Sequence, residues 1–359
     1  MPACVTSYRT AGVTAGLAEA AIDPATAAPL HTPAMPAMVG LRFDLRVPAF
    51  ARTTHARQYA ACLEMCAWAD RHGFDVVALS EHHGVDDGYM SSPITLAAAI
   101  AARTSRMAIN VAAILVPLHD PVRLAEQVAV AALVAGGRLG FVAGLGYRPE
   151  EFAMAGVDRT ERGKLFDEYV GVLKRAWTGE PFKWRGRTVR VTPAPPAPPP
   201  ILVGGSTPKA ARRAARLRCG FFPAVGDPEL KRVYEAACAE AGFQGGFVVL
   251  PGGPGFVHVT RDPERDWRRI APHALYDART YRDWQTPGQR SQVHVAADTE
   301  EGVRRSGVYQ VVTPDECVAL AETHGRVLLH PLMGGIDPDL GWESLRLFAD
   351  EVLPRLRPA

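Results

Sequence analysis

No run of apolar residues in this 359-residue sequence approaches the ~20 needed to cross a bilayer, so the sequence carries no signal for a membrane-spanning helix. An excess of charge of one sign is missing too, since 40 Lys and Arg stand against 38 Asp and Glu. That balance leaves no electrostatic footprint for nucleic acid or an anionic membrane surface. The local cluster Arg212, Arg213, Arg216 and Arg218 reads as the solvated face of a helix. Cysteine is sparse: the six are scattered and form no CxxC pair. A disulfide framework is therefore not expected, and the reducing cytoplasm is the compartment that such usage fits. Cys62 and Cys66, four residues apart on a helical stretch with apolar neighbours, are read as core packing. No strand followed by Gly-x-Gly-x-x-Gly and a helix occurs near the start, which counts against a Rossmann fold. Neither HxH nor HExxH spacing is present to support a zinc site, and no metal is expected.

What is present is an ordinary globular composition, 47% hydrophobic and 22% charged, in which short β-rich runs alternate with helical stretches. Residues 1–37 are rich in Ala, Pro and Thr without hydrophobic periodicity and read as a disordered tail. They do not resemble a secretory signal, because Glu19 and Asp23 interrupt the apolar stretch; a true start at Met35 or Met38 would read the same way. From Val39 the strand candidates are Val39–Leu45, Asp75–Ser80, Met107–Val116, Leu139–Leu145, Ile201–Val203, Cys219–Phe222, Gly255–Val259 and Val327–His330. Several are continuous apolar runs, as in parallel strands buried on both faces. Helices are predicted over Gln58–His72, Pro93–Arg103 and Asp158–Trp177, from Pro121 and Pro208 onward, and near Trp342–Leu353. Gly179–Val191 predicts a small hairpin, and Pro193–Pro200 a stiff connector. Eight strands with helical crossovers fit a TIM (β/α)8 barrel over residues 38–359. The polar stretch Asp262–Arg305, with Trp267, Tyr276, Tyr281 and Trp284, is too long for a plain connection and reads as an inserted lid or helical arm.

Functional residues of such a barrel sit where strands end. Glu81-His82-His83 follows one strand directly, and its side chains must alternate, so at most two of the three face the mouth. A histidine there can donate a hydrogen bond or shuttle a proton, or simply cap the strand. Gly204-Gly205-Ser206-Thr207-Pro208 links a strand to a helix; it suits a phosphate or serves only as an N-cap. Gly144-Leu145-Gly146-Tyr147, with Glu150, Glu151 and Phe152 beyond, lets a planar ligand approach the backbone or makes a tight turn.

In order along the chain, these segments resemble the bacterial luciferase-like superfamily. The likeness runs through Glu81-His82-His83, Ser92-Pro93, Asn110–Pro117, His119–Glu126, Gly136-Gly137-Arg138, Gly144–Phe152, Trp177–Pro181, Ile201–Ser206 and His330–Gly335. It implies a luciferase-like TIM barrel that binds reduced FMN, or alternatively the deazaflavin F420, at the C-terminal face. By position it implies His82 as the active-site histidine, a cis-peptide bulge at Ala112-Ala113 behind the ring, and Gly205 and Ser206 as part of a phosphate site. Glu81, Leu145, Gly146 and Gly204 complete the expected cofactor contacts. Leu145 stands where some FMN-dependent members carry an arginine, and Ala132 and Ala135 where an acidic residue and a serine are often found. The expected activity is monooxygenation of a small organic molecule with O2, with F420-dependent hydride transfer or a non-catalytic ligand-binding barrel as alternatives. A flavin or F420 reductase as supplier, and a homodimer, follow from the same resemblance.

Overall fold

A computed structural model describes residues 37–357. The expected tail therefore lies outside the described residues, apart from Ala37. Along the chain, β1 (Met38–Phe43), α1 (His55–Arg71), β2 (Val76–Leu79), α2 (Pro93–Arg103), β3 (Ala108–Leu115), α3 (Pro121–Ala135) and β4 (Leu139–Gly144) form the first half. Then come α4 (Pro149–Ala155), α5 (Arg162–Ala176), the hairpin β5 (Phe182–Trp184) and β6 (Arg187–Val189), β7 (Ile201–Gly205), α6 (Pro208–Arg216), β8 (Gly220–Pro223) and α7 (Pro228–Glu240). The last part holds β9 (Phe256–Val259), α8 (Pro263–Asp283), α9 (Glu300–Arg305), β10 (Tyr309–Val312), α10 (Pro314–His324), β11 (Arg326–Leu329) and α11 (Pro338–Leu347). No helix among the described residues is long and apolar enough to cross a membrane.

The parallel ladder runs β11-β1-β2-β3-β4-β7-β8. β9 and β10 make a separate parallel pair, and β9 lies against β11. A bridge from Phe221 of β8 to Val248 extends the other edge. The fold is thus a parallel α/β barrel, with ladder bonds continuous over seven strands and β9 and β10 packed in the remaining arc. All eight strand candidates correspond to strands, and the hairpin appears as read. β10 was missing from the sequence reading: its four residues sit between Gly307 and Pro314, too short to show a period. The segment read as one helix over Asp158–Trp177 begins instead with a 3₁₀ turn at Arg159–Glu161, capped by the Asp158 side chain.

Helix starts follow local chemistry. Pro occupies the first turn of most crossover helices, with Asp120, Asp227, Asp262 or Asp337 as N-cap where its carboxylate accepts from a backbone N–H. Strand burial shows the two faces of the barrel. On β3, Ile109 and Val111 are fully buried, whereas Ala108, Asn110 and Ala112 on the alternate positions are half-buried, and half-buried Ala113 breaks the alternation at the register shift. Cys62 and Cys66 are fully enclosed in the outer core, as the packing reading required. Their burial pushes the Cys62 thiol well above its ordinary range.

Candidate active site

Leu79 of β2 pairs with Val111 of β3, which sets the residues just beyond β2 alongside Ala112. Alternation then divides the Glu-His-His run. The His82 ring meets Tyr89 at 4.8 Å, Tyr147 at 5.7 Å, Tyr281 at 6.5 Å and Trp284 at 4.7 Å, centroid to centroid. Glu81 and His83 turn elsewhere, with His83 Nε2 3.0 Å from Glu81 Oε1. Only His82 faces the aromatic mouth.

The protonation of His82 follows from its partner. Glu151, on α4, places Oε1 2.8 Å from His82 Nδ1, accepts from the His83 backbone N–H at 3.0 Å, and lies 3.4 Å from Arg148 Nη1. An oxygen that accepts from an amide and a guanidinium belongs to a carboxylate, so His82 Nδ1 donates and Nε2 keeps the lone pair. Glu151 is held below its ordinary range: burial opposes ionisation, but the hydrogen bond from His82 and its neighbours outweigh it. Burial lowers the His82 pKa despite the opposing pull of Glu151. The imidazole is therefore neutral at pH 7, with Nε2 directed at the mouth, 3.4 Å from the Tyr147 hydroxyl.

Most of the cover over this nitrogen comes from the segment expected to form a lid or arm. Its core is α8, whose C-terminal turn carries Tyr281 and leads directly into Trp284. Arg148 sits 4.3 Å from the Trp284 ring centre. Tyr281 shares a hydroxyl–hydroxyl bond of 2.8 Å with Tyr89, which in turn bonds Ser80 at 2.6 Å. The helix is fastened by Arg46, fully buried just past β1: Nε bonds Asp87 at 2.6 Å, Nη1 bonds Asp277 at 2.8 Å and Nη2 bonds Thr280 at 2.9 Å. Tyr276 donates to the same Asp87 Oδ2 that Arg46 holds, and Tyr309 donates to the second oxygen of Asp277, Oδ2. Beneath it, burial pushes the Asp44 carboxyl up to about 7 against the pull of Arg46.

The Ala112–Ala113 peptide is cis, and the β3–β4 register shifts there. The strip beside it has little room: a side-chain carbon added to Gly144 would lie 3.0 Å from the Ala113 Cβ. Leu145 packs partly against the core, and Gly146, with φ +71°, lies close to Phe152. At the end of β7, Gly205 has φ +144° and a Cβ there would come within 2.6 Å of Ala210, so no larger residue fits. Thr207 caps α6 through its side chain, as the N-cap reading had it. That leaves Ser206, whose hydroxyl accepts from the Arg290 backbone N–H at 3.2 Å, while Arg290 Nη2 lies 3.2 Å from the Ser206 carbonyl. The same Nη2 pairs with Asp227 Oδ2 at 2.9 Å, so the arginine at the glycine loop already has a carboxylate partner, and Leu145 offers no cation.

Residues 42–326 match the model of the luciferase-like monooxygenase family. The chain belongs to that family. Among curated relatives, this luciferase-like chain is 34% identical over 170 residues to an uncharacterized protein of Mycobacterium tuberculosis, covering 44% of this chain and 59% of the relative. It is 24% identical over 200 residues to the oxygenase component of the flavin-dependent trigonelline monooxygenase of Acinetobacter baylyi, 52% of this chain and 55% of that one. It is 29% identical over 177 residues to the F420-dependent glucose-6-phosphate dehydrogenase of Nakamurella multipartita, 45% and 51%. The aligned region thus spans between half and three fifths of these relatives. Among solved structures, monooxygenase RslO1 of Streptomyces bottropensis superposes with TM-score 0.71 at 24% identity, covering 89% of this chain and 99% of that one. The oxygenating constituent of 3,6-diketocamphane monooxygenase of Pseudomonas putida, in complex with FMN, gives TM-score 0.67 at 20% identity, with 89% and 99% covered. These two likenesses show the fold. The homologues include both a flavin-dependent monooxygenase component and an F420-dependent dehydrogenase.

Sequence reading singled out His82 but missed the roles of Glu151, Arg46, Tyr89, Arg290 and His119. Glu151 was noted only as part of a loop, because nothing in the local pattern ties it to a histidine 69 positions earlier. Arg46 carried a weak signal, an arginine directly after the first strand.

Proposed function

We propose that this chain is the oxygenase component of a flavin-dependent monooxygenase, acting with reduced FMN and O2 on a small organic substrate. A separate flavin reductase supplies the reduced cofactor. The observation that carries this reading is His82, held by Glu151 through Nδ1 and ringed by Tyr89, Tyr147, Tyr281 and Trp284. The residues around it fit an FMN-sized group. Ala112, Ala113 and Gly144 carry only small side chains at this strand end, which suits the backbone approach of a planar ring. The Gly204–Ser206 loop offers small residues and backbone N–H groups for one terminal phosphate, and Arg290 beside it would exchange its Asp227 partner for that phosphate. The cofactor supplies the reducing equivalents and the reaction with O2. The chain orients it, keeps water away and takes up a proton at His82 Nε2.

Titration of the purified protein with reduced and oxidised FMN, FAD and F420, followed by absorbance and fluorescence, tests the assignment. Reduced FMN is expected to bind at least as tightly as the others. Tight F420 binding without FMN binding would replace this reading by hydride transfer, and binding of none would remove it. Arg290→Ala is expected to weaken FMN roughly 10- to 100-fold, the loss of a charge-assisted hydrogen bond of about 1.5–3 kcal/mol. Riboflavin, which lacks the phosphate, should bind both proteins alike. An equal loss for riboflavin would place Arg290 in the ring site instead.

A further inference from the structure

We propose that Glu81, His83 and His119 form a divalent-cation site at the barrel rim, on the other side of the β2 end from His82. The sequence has no HxH or HExxH spacing for a metal, but the fold brings His119, 38 positions beyond Glu81, to Glu81 and His83. Glu81 Oε1 lies 3.0 Å from His83 Nε2 and 2.8 Å from His119 Nε2, and one ligand atom from each residue lies within 4.8 Å of the others. Zinc–nitrogen and zinc–oxygen bonds of about 2.0–2.2 Å at tetrahedral angles put ligand atoms roughly 3.3 Å apart, close to the two spacings found.

The carboxylate is prepared for such a role. Glu81 is 2% exposed, and its second oxygen accepts from the Leu115 backbone N–H at 2.5 Å, which aims the first at the two imidazoles. His119 and His83 both place Nε2 on that first oxygen. A divalent cation in place of the shared protons would pair directly with this enclosed carboxylate. The side chains of His83 and His119 are 19% and 26% exposed, so an ion has a path from solvent and room for water in its remaining positions. Two imidazoles and one carboxylate select a first-row transition ion such as Zn2+, Co2+ or Ni2+ over Mg2+ or Ca2+. The site stands independently of the cofactor assignment.

The test uses tag-free, full-length protein and the ions themselves. Calorimetric titration with Zn2+ is expected to show one equivalent per chain and a raised melting temperature. His83→Ala and His119→Ala, both at partly exposed positions, should each weaken binding at least tenfold and abolish the thermal shift, with far-UV circular dichroism confirming the fold. Co2+ added to the wild type should give d–d absorption without a thiolate charge-transfer band. Three results would overturn the site: no saturable one-to-one binding, binding unchanged in either variant, or a charge-transfer band, which would put the ion on cysteine. In each case the cluster would be a hydrogen-bonded brace only.

Discussion

Replacing His82 by alanine is expected to lower turnover by about 10²- to 10⁴-fold while leaving the barrel folded, the scale of losing a positioned proton-transfer group. The reason lies in the Glu151 bond. With Nδ1 donating to a carboxylate, Nε2 is the single basic nitrogen that the ring presents to the mouth. The pH profile provides a second, independent reading. Burial lowers the His82 pKa, so the ring keeps its lone pair until pH falls below the ordinary imidazole value. Activity should therefore hold across neutral pH and drop on an acid limb below about 6.5, the unperturbed imidazole pKa. Glu151→Gln removes the charge that raises the His82 pKa, so that limb should move further to the acid side, with a lower plateau as the tautomer is no longer enforced. If His82→Ala and His83→Ala cost turnover equally in folded protein, the proton acceptor has been assigned to the wrong histidine. An unmoved limb in Glu151→Gln would show that Glu151 only packs against the ring.

The largest effect on stability is expected at Arg46. Its guanidinium is enclosed and bonds Asp87, Asp277 and Thr280 at once, so Arg46→Ala leaves two buried carboxylates without their shared cation. Breaking a buried ion pair by removing one partner costs about 3–5 kcal/mol. Asp277 and Thr280 belong to α8, so the loss should fall first on the helix that carries Tyr281 toward His82. Urea denaturation should show a lower midpoint, and amide exchange should rise over residues 263–283 before it rises in β1–β4. Arg46→Lys should recover only part of the loss, since a single ammonium cannot reproduce a fork reaching three partners. A midpoint unchanged from wild type would mean that the tyrosine hydroxyls on Asp87 and Asp277 suffice to hold the helix.

These two residues mark the boundary between what local sequence carries and what it does not. The order of strands and helices was legible, because apolar runs, proline at first turns and aspartate caps act within a few residues of one another. Alternation showed that at most two of Glu81, His82 and His83 could face the mouth, and the choice of His82 came from the family resemblance. The glycine loop at β7 was readable locally: Gly205 needs a backbone shape that its own neighbour Ala210 forbids to other residues. By contrast, the partners that give these groups their chemistry come from far along the chain. Glu151 meets His82 across 69 positions, Asp277 meets Arg46 across 231, Arg290 meets Ser206 across 84, and His119 meets Glu81 across 38. Such pairings depend on which strand ends the closed barrel brings to one rim and on where α8 lies across it. Periodicity specifies the face on which a side chain emerges, but only tertiary packing decides which distant side chain meets it there.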